Sequence, residues 1–182
     1  LLKAQKGQFT GCLAPFGYRK DPEDKNHLLI DEETAPIVRR LFAWALEGHG
    51  PNYIRRRLEE EKIPCPTYWN RVRGFRNVST KWEKKDPVNG RYMWDFSVIK
   101  DILMNPVYTG AIASQKKEYR FKIGTIGEKK PEDWIVVENQ HEPLVDRKTF
   151  DIVQRKLKSR QRPRQTGEIS LFAGLIKCGE CG

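Results

Sequence analysis

The sequence offers little for a membrane, an oxidising compartment or a self-contained catalytic centre to work with. No apolar run in its 182 residues approaches the ~20 that a helical membrane span needs. The opening, Leu1-Leu2-Lys3-Ala4-Gln5-Lys6, has no apolar segment of the kind a secretory signal requires. Cysteine is sparse: Cys12 and Cys65 stand alone and read as small core or surface residues, while Cys178 and Cys181 form a terminal Cys-x-x-Cys. That is not a disulfide framework, and a reducing cytoplasm is the simpler context. The three histidines (His27, His49, His141) are scattered, and the five serines (Ser79, Ser97, Ser114, Ser159, Ser170) show no local catalytic pattern. The chain has no initiator methionine and stops on Cys181-Gly182, so both ends are expected to be cuts within a longer protein.

What is abundant is positive charge. Lys and Arg number 34 against 24 Asp and Glu, a formal net charge of +10 and a sequence pI near 9.5. Such a surplus is an electrostatic footprint for a polyanion, most simply nucleic acid, with a merely soluble basic protein as the alternative. The length allows one or two domains with a real core.

One stretch, Trp94 to Gly110, organises the rest. Asp95 is placed to N-cap a helix, and Phe96, Ile99, Ile102 and Leu103 recur at helical spacing as an apolar face. Ser97, Lys100 and Asp101 fall on the other side. Pro106 pushes Asn105 out of the α region and ends the helix, after which Val107 to Ile112 reads as a strand. A short helix showing a small polar face is what a DNA major groove admits. The competing reading is a surface helix packed on a core by Phe96 and Leu103.

Along the chain, Leu1 to Lys6 reads as the last turns of a helix, followed by a basic, glycine-containing arm. Such an arm lies along phosphates, enters a minor groove, or serves only as a flexible linker. Phe16-Gly17-Tyr18-Arg19 begins a strand that pairs with Leu28-Leu29-Ile30 across a polar turn. Asp31 is read as the N-cap of an amphipathic helix to Glu47, with Ile37, Val38, Leu41, Phe42, Ala45 and Leu46 facing inward and Gly48 ending it. Asn52 is read as the cap of a second helix, Tyr53 to Lys62. Residues 67–93 read as irregular, with seven Lys/Arg against two acids and with Trp69, Phe75 and Trp82 interleaved. That mixture suits stacking on bases or clamping a backbone, or is a surface excursion pinned by aromatics. Trp134 to Glu138 reads as a strand, and the basic span before it as a β-hairpin wing beside the central helix. A last helix follows Pro143 and Asp146, with Phe150, Ile152, Val153 and Leu157 on its apolar side. Cys178 and Cys181 then supply two of the four ligands that a closed structural zinc requires, half of a site that is empty here unless a second pair lies beyond Gly182.

Five motifs in order make a pattern that resembles the large serine recombinases, the phage integrase and transposon resolvase-like enzymes. They are Ala14-Pro15-Phe16-Gly17-Tyr18; Ile37-Val38-Arg39-Arg40-Leu41-Phe42; Tyr53-Ile54 to Pro66; Leu103-x-Asn105-Pro106-x-Tyr108-x-Gly110; and Leu171-Phe172-x-Gly174-Leu175-x-x-Cys178-x-x-Cys181. The resemblance implies an α+β fold: a helix-turn-helix-like core with a small antiparallel sheet or hairpin and basic loops. It implies three parts: residues 1–20 as the end of a linker helix and a DNA-tracking arm, 21–165 as the recombinase DNA-binding domain, and 166–182 as a linker and the truncated start of a zinc ribbon. The nucleophilic serine of the family lies in a catalytic domain that these residues do not match, so no catalytic residue is carried over and this chain is expected to hold DNA without cutting it.

By position, the resemblance makes the helix after Trp94-Asp95 a recognition helix, with Phe96, Ser97, Lys100 and Asn105 at base edges. Phe96 would touch a thymine methyl or belong to the core. The arm from Lys6 through Gln8 to Tyr18 and Arg19 would follow the minor groove or backbone. Arg55, Arg56, Arg71, Arg73, Lys116 and Lys117 would meet phosphates, which set affinity more than sequence choice. The implied partner is a double-stranded attachment site, with no membrane; the parent would work as a dimer or tetramer on DNA, and this piece as a monomer. No cofactor is expected in this chain, zinc in the parent, and a bacterial or phage-encoded cytoplasmic setting. A general RNA or nucleic-acid module and a basic protein-interaction domain are the alternatives.

Overall fold

The protein is described here by a computed structural model covering residues 2–75, 86–120 and 125–159. A single turn, α1 (Leu2–Gln5), leads into an arm whose Phe9 N–H donates to the Asn26 carbonyl at 2.8 Å. Strands β1 (Tyr18–Lys20) and β2 (Leu28–Ile30) pair antiparallel, as expected, and the register sets Tyr18 opposite Ile30. A two-stranded ribbon is marginal by itself. This one holds because Tyr18 and Leu28 are buried in the common core.

Helix α2 (Ala35–Leu46) starts four residues after the expected cap. Asp31 is not its N-cap: Thr34 holds that position, and Pro36 sits in the first turn, where the missing N–H costs nothing. Asp31 instead accepts the Ala35 N–H on its backbone carbonyl at 2.8 Å. Its carboxylate takes the Thr34 hydroxyl, and the Thr34 oxygen accepts the Gly17 N–H at 3.2 Å. Val38, Leu41, Phe42 and Ala45 are buried as read, together with Trp44. Leu46, read as inward, is just over a third exposed. Gly48, with φ +98°, reverses the chain into α3 (Pro51–Glu60), whose cap is Gly50 rather than Asn52 because Pro51 presets the first turn. The span expected to be irregular contains a helix, α4 (Pro66–Val72), and a 3₁₀ turn at Gly90–Tyr92; Trp82 and the cations of 76–85 lie outside the described residues.

Helix α5 (Phe96–Met104) has the expected bounds. The strand expected from Val107 begins later. Asn105 caps a 3₁₀ turn, Pro106–Thr109, and Gly110 follows in the left-handed region at φ +84°. A Cβ at Gly110 would stand 2.8 Å from the His141 carbonyl, so the close approach also demands glycine. Here tertiary burial overrides β-propensity, since Val107 and Tyr108 point into the core. β3 (Ile112–Ser114) then pairs with β6 (Ile135–Val137), and between them β4 (Lys117–Arg120) and β5 (Thr125–Glu128) form the expected hairpin. Helix α6 (Arg147–Ser159) closes the fold against α2, with Phe150 and Val153 buried.

The core is aromatic at its centre. Phe42 meets Tyr108 edge-on at 5.7 Å and Phe150 at 6.1 Å, and Tyr18 stacks on Tyr108 at 6.0 Å. Both phenols donate to backbone carbonyls, Tyr18 to Glu142 and Tyr108 to Phe16, each at 2.9 Å. The architecture is α+β: among the described residues, a helical core with three two-stranded antiparallel ribbons.

Candidate nucleic-acid interface

Helix α5 is fixed at its start by two side chains of different kinds. Trp94 is buried, donates its indole N–H to the Ile63 carbonyl at 2.9 Å, and meets Phe16 edge-on at 5.7 Å. Asp95 accepts both the Ser97 N–H and the Ser97 hydroxyl at 2.9 Å. The Ser97 backbone N–H, with its hydroxyl, holds this carboxyl below the usual carboxylate range. Ile99, Ile102 and Leu103 are buried. Phe96, Ser97, Lys100, Asp101 and Met104 therefore form one exposed arc, with Phe96 at 42% and Met104 at 44% exposure despite their apolar character. At the far end, Gln154 of α6 donates to the Leu103 carbonyl at 2.6 Å, satisfying a carbonyl that the helix itself leaves unpaired.

Of the residues read as base contacts, Phe96, Ser97 and Lys100 share this arc, although the Ser97 hydroxyl is already engaged by Asp95. Asn105 is placed differently. Its side-chain oxygen accepts the Val107 N–H and the Lys116 ammonium, both at 3.3 Å. Lys116 also lies 4.9 Å from the centre of the Trp134 ring, and desolvation lowers its amine from the ordinary lysine value. Asn105 and Lys116 thus hold each other, where the sequence reading had one on a base and the other on a phosphate. Their pairing anchors the root of the β4–β5 hairpin to the end of α5. Lys117, the next residue, is exposed.

Arg73, also read as a phosphate contact, is already engaged within the protein. It pairs with Asp31 at 2.7 Å and Glu33 at 2.8 Å and stacks over Trp69, tying α4 to the approach of α2. Arg55 pairs with Glu59 one turn on, at 3.0 Å. Arg56 and Arg71 are exposed, Arg56 lining a cleft of about 310 Å³ with Tyr53, Arg57 and Glu60. In the arm, Lys6 and Arg19 are exposed, whereas Gln8 is half-buried and donates its backbone N–H to the Lys3 carbonyl at 3.0 Å. Arg19, Arg56, Lys100 and Lys117 have no ion-pair partner among the described residues. Cys178 and Cys181 lie outside those residues, within which no three His, Cys, Asp or Glu side chains gather as a metal site.

The sequence reading missed a groove. Phe96, Lys100 and Met104, spaced four apart, face Leu157 and Lys158 of α6 and Pro51 at the start of α3 across an opening of about 420 Å³. The i, i+4, i+8 spacing was legible, but which element stood opposite was not.

An exposed helix arc standing clear of an aromatic core, beside a β-hairpin, defines an α+β domain with one helix presented to solvent. More particularly, the chain belongs to the Recombinase family, whose profile matches residues 32–160. It is 36% identical over 95 residues to an uncharacterised protein, YefB, of Bacillus subtilis (strain 168), covering 51% of this chain and 31% of that protein. It is 27% identical over 196 residues to a protein of the same strain provisionally named a DNA recombinase, covering 100% of this chain and 34% of that protein. The chain thus spans about a third of the length of these curated relatives. Among solved structures, a large serine recombinase (LSR)–DNA complex aligns with a TM-score of 0.50 at 16% identity, over 87% of this chain and 36% of that one. A second, from a study of sequence requirements at the Listeria innocua prophage attP site, aligns with a TM-score of 0.51 at 17% identity, over 86% and 48%. At these identities the likeness is one of fold. The resemblance to large serine recombinases and the α+β architecture expected from sequence both stand.

Proposed function

We propose that this chain is the part of a serine-type site-specific recombinase that grips duplex DNA at an attachment site. The observation that carries the reading is the α5 arc. Asp95 fixes where the helix begins, Gln154 and Asn105 fix where it ends, and between them Lys100 projects with no ion-pair partner among the described residues. A helix so held presents its side chains to the wide groove in a fixed register. Lys117 on the hairpin, and Lys6 and Arg19 near the arm, supply charge for the flanking phosphates. Cutting and rejoining of DNA, assembly into dimers or tetramers, and zinc on Cys178, Cys181 and a second ligand pair belong, in this reading, to the longer protein. A general RNA-binding module has no comparable support, because an A-form major groove is too narrow for a helix arc.

The test is binding of the 182-residue chain to a duplex selected from a random library, against a scrambled duplex and a single strand. Tight preference for the selected duplex is expected, with affinity falling steeply as salt rises. Lys100→Ala should weaken the selected duplex by ~1–3 kcal/mol and relax choice at one position. Equal affinity for unrelated duplexes would count against the reading.

A further inference from the structure

The apolar residues on the exposed arc are unexplained by a polar contact surface. Phe96 and Met104 are large, more than two-fifths exposed, and two helical turns apart on one face of α5. Neither is needed to close the core, which Ile99, Ile102 and Leu103 already do. With Leu157 and Pro51 they make the walls of the 420 Å³ groove, and its two charged lining residues, Lys100 and Lys158, are both cationic. Its one neutral polar lining residue, Gln154, has its amide N–H turned to the Leu103 carbonyl. The groove is thus apolar inside and positive at its rim, the complement of an object that is apolar in part and anionic outside.

We propose that this groove recognises the C5-methyl group of a pyrimidine in the major groove, a thymine in ordinary DNA, while Lys158 at its rim meets the adjoining backbone. This rests on the duplex-binding reading above and sharpens it. The C5-methyl is the one apolar group that a base pair displays in the wide groove. A phosphate beside it matches Lys158, and Lys100 stays at the base edge. A protein partner would need acidic residues around an apolar plug, and the net charge of +10 favours a polyanion of far higher charge density.

The experiment takes the duplex selected by the 182-residue chain and replaces each thymine in turn by deoxyuridine, which removes the methyl and leaves every hydrogen-bonding edge in place. At one or two positions affinity should drop about fourfold, the worth of one buried methyl. Phe96→Ala and Met104→Ala, both at exposed positions, should keep the helical circular-dichroism signal and lose that discrimination, binding the thymine and uracil duplexes alike. If uracil is tolerated everywhere while the selected duplex is still preferred over scrambled DNA, the groove inference falls and the duplex reading survives. If no duplex is preferred at all, the duplex reading itself falls. If uracil discriminates but both variants retain the discrimination, the methyl is read elsewhere and the groove assignment is wrong.

Discussion

At the scale of single residues, His141 is a buried polar side chain held on two sides. Its Nε2–H donates to the Val107 carbonyl at 2.7 Å, its ring stands edge-on to Tyr18 at 4.8 Å, and its Nδ1 is buried with no partner among the described residues. Burial pushes the imidazole below its ordinary value of 6.5, against a smaller opposing effect of the Val107 bond. The folded form therefore binds its proton less readily than the unfolded chain. Stability is complete above pH 6.5 and drains away as pH falls below it. His141→Gln should flatten the dependence of the urea midpoint on pH between 7 and 5, a window above the range of the hydrogen-bonded carboxylates. Parallel slopes for the two proteins would exclude His141 as the cause. None of this was visible in the sequence, where His141 is one of three scattered histidines; its burial comes from the left-handed turn at Gly110, which brings residues 107 and 141 together.

Among the elements, α5 was read correctly from end to end because its signals are local: a cap, a period and a proline. Asp95→Ala removes the cap and should cost about 1 kcal/mol of stability, with a further loss of duplex affinity as the first turn frays. Asp95→Asn, which still accepts the Ser97 N–H, should recover most of both; equal damage from the two substitutions would argue that charge rather than capping matters. The misread starts of α2 and α3 have one shared physical origin. Asp31 and Asn52 are good caps by type, but Pro36 and Pro51 dictate where the first turns lie, and Asp31 is drawn into bonds with Thr34 and Arg73. The inward turn of Arg73 and the clasp between Asn105 and Lys116 depend on residues 42 and 11 positions away and could not be read from composition. A basic residue in a basic sequence looks like a ligand contact until its carboxylate partners are known.

For the molecule as a whole, the hairpin is separable from the core. Among the described residues β4 and β5 pair only with each other, and at the hairpin's root the Lys129 N–H donates to the Lys116 carbonyl at 2.9 Å, a bond that would close a two-residue turn in its place. Replacing residues 117–128 by Asn-Gly should leave the melting temperature nearly unchanged while weakening duplex binding. The log–log salt slope should fall by about 0.9 for each phosphate that the hairpin no longer neutralises. A slope unaltered by the deletion would show that the hairpin never meets DNA.

The last helix has another kind of influence, because two of its side chains hold the ends of other helices. Gln154 takes the final turn of α5, and Lys156 donates to the Leu46 carbonyl of α2 at 2.7 Å. Random mutagenesis scored only by loss of binding will consequently return hits at these two positions, and a map drawn from such hits will overstate the footprint. Counter-screening the same library for protease resistance separates them from true contacts.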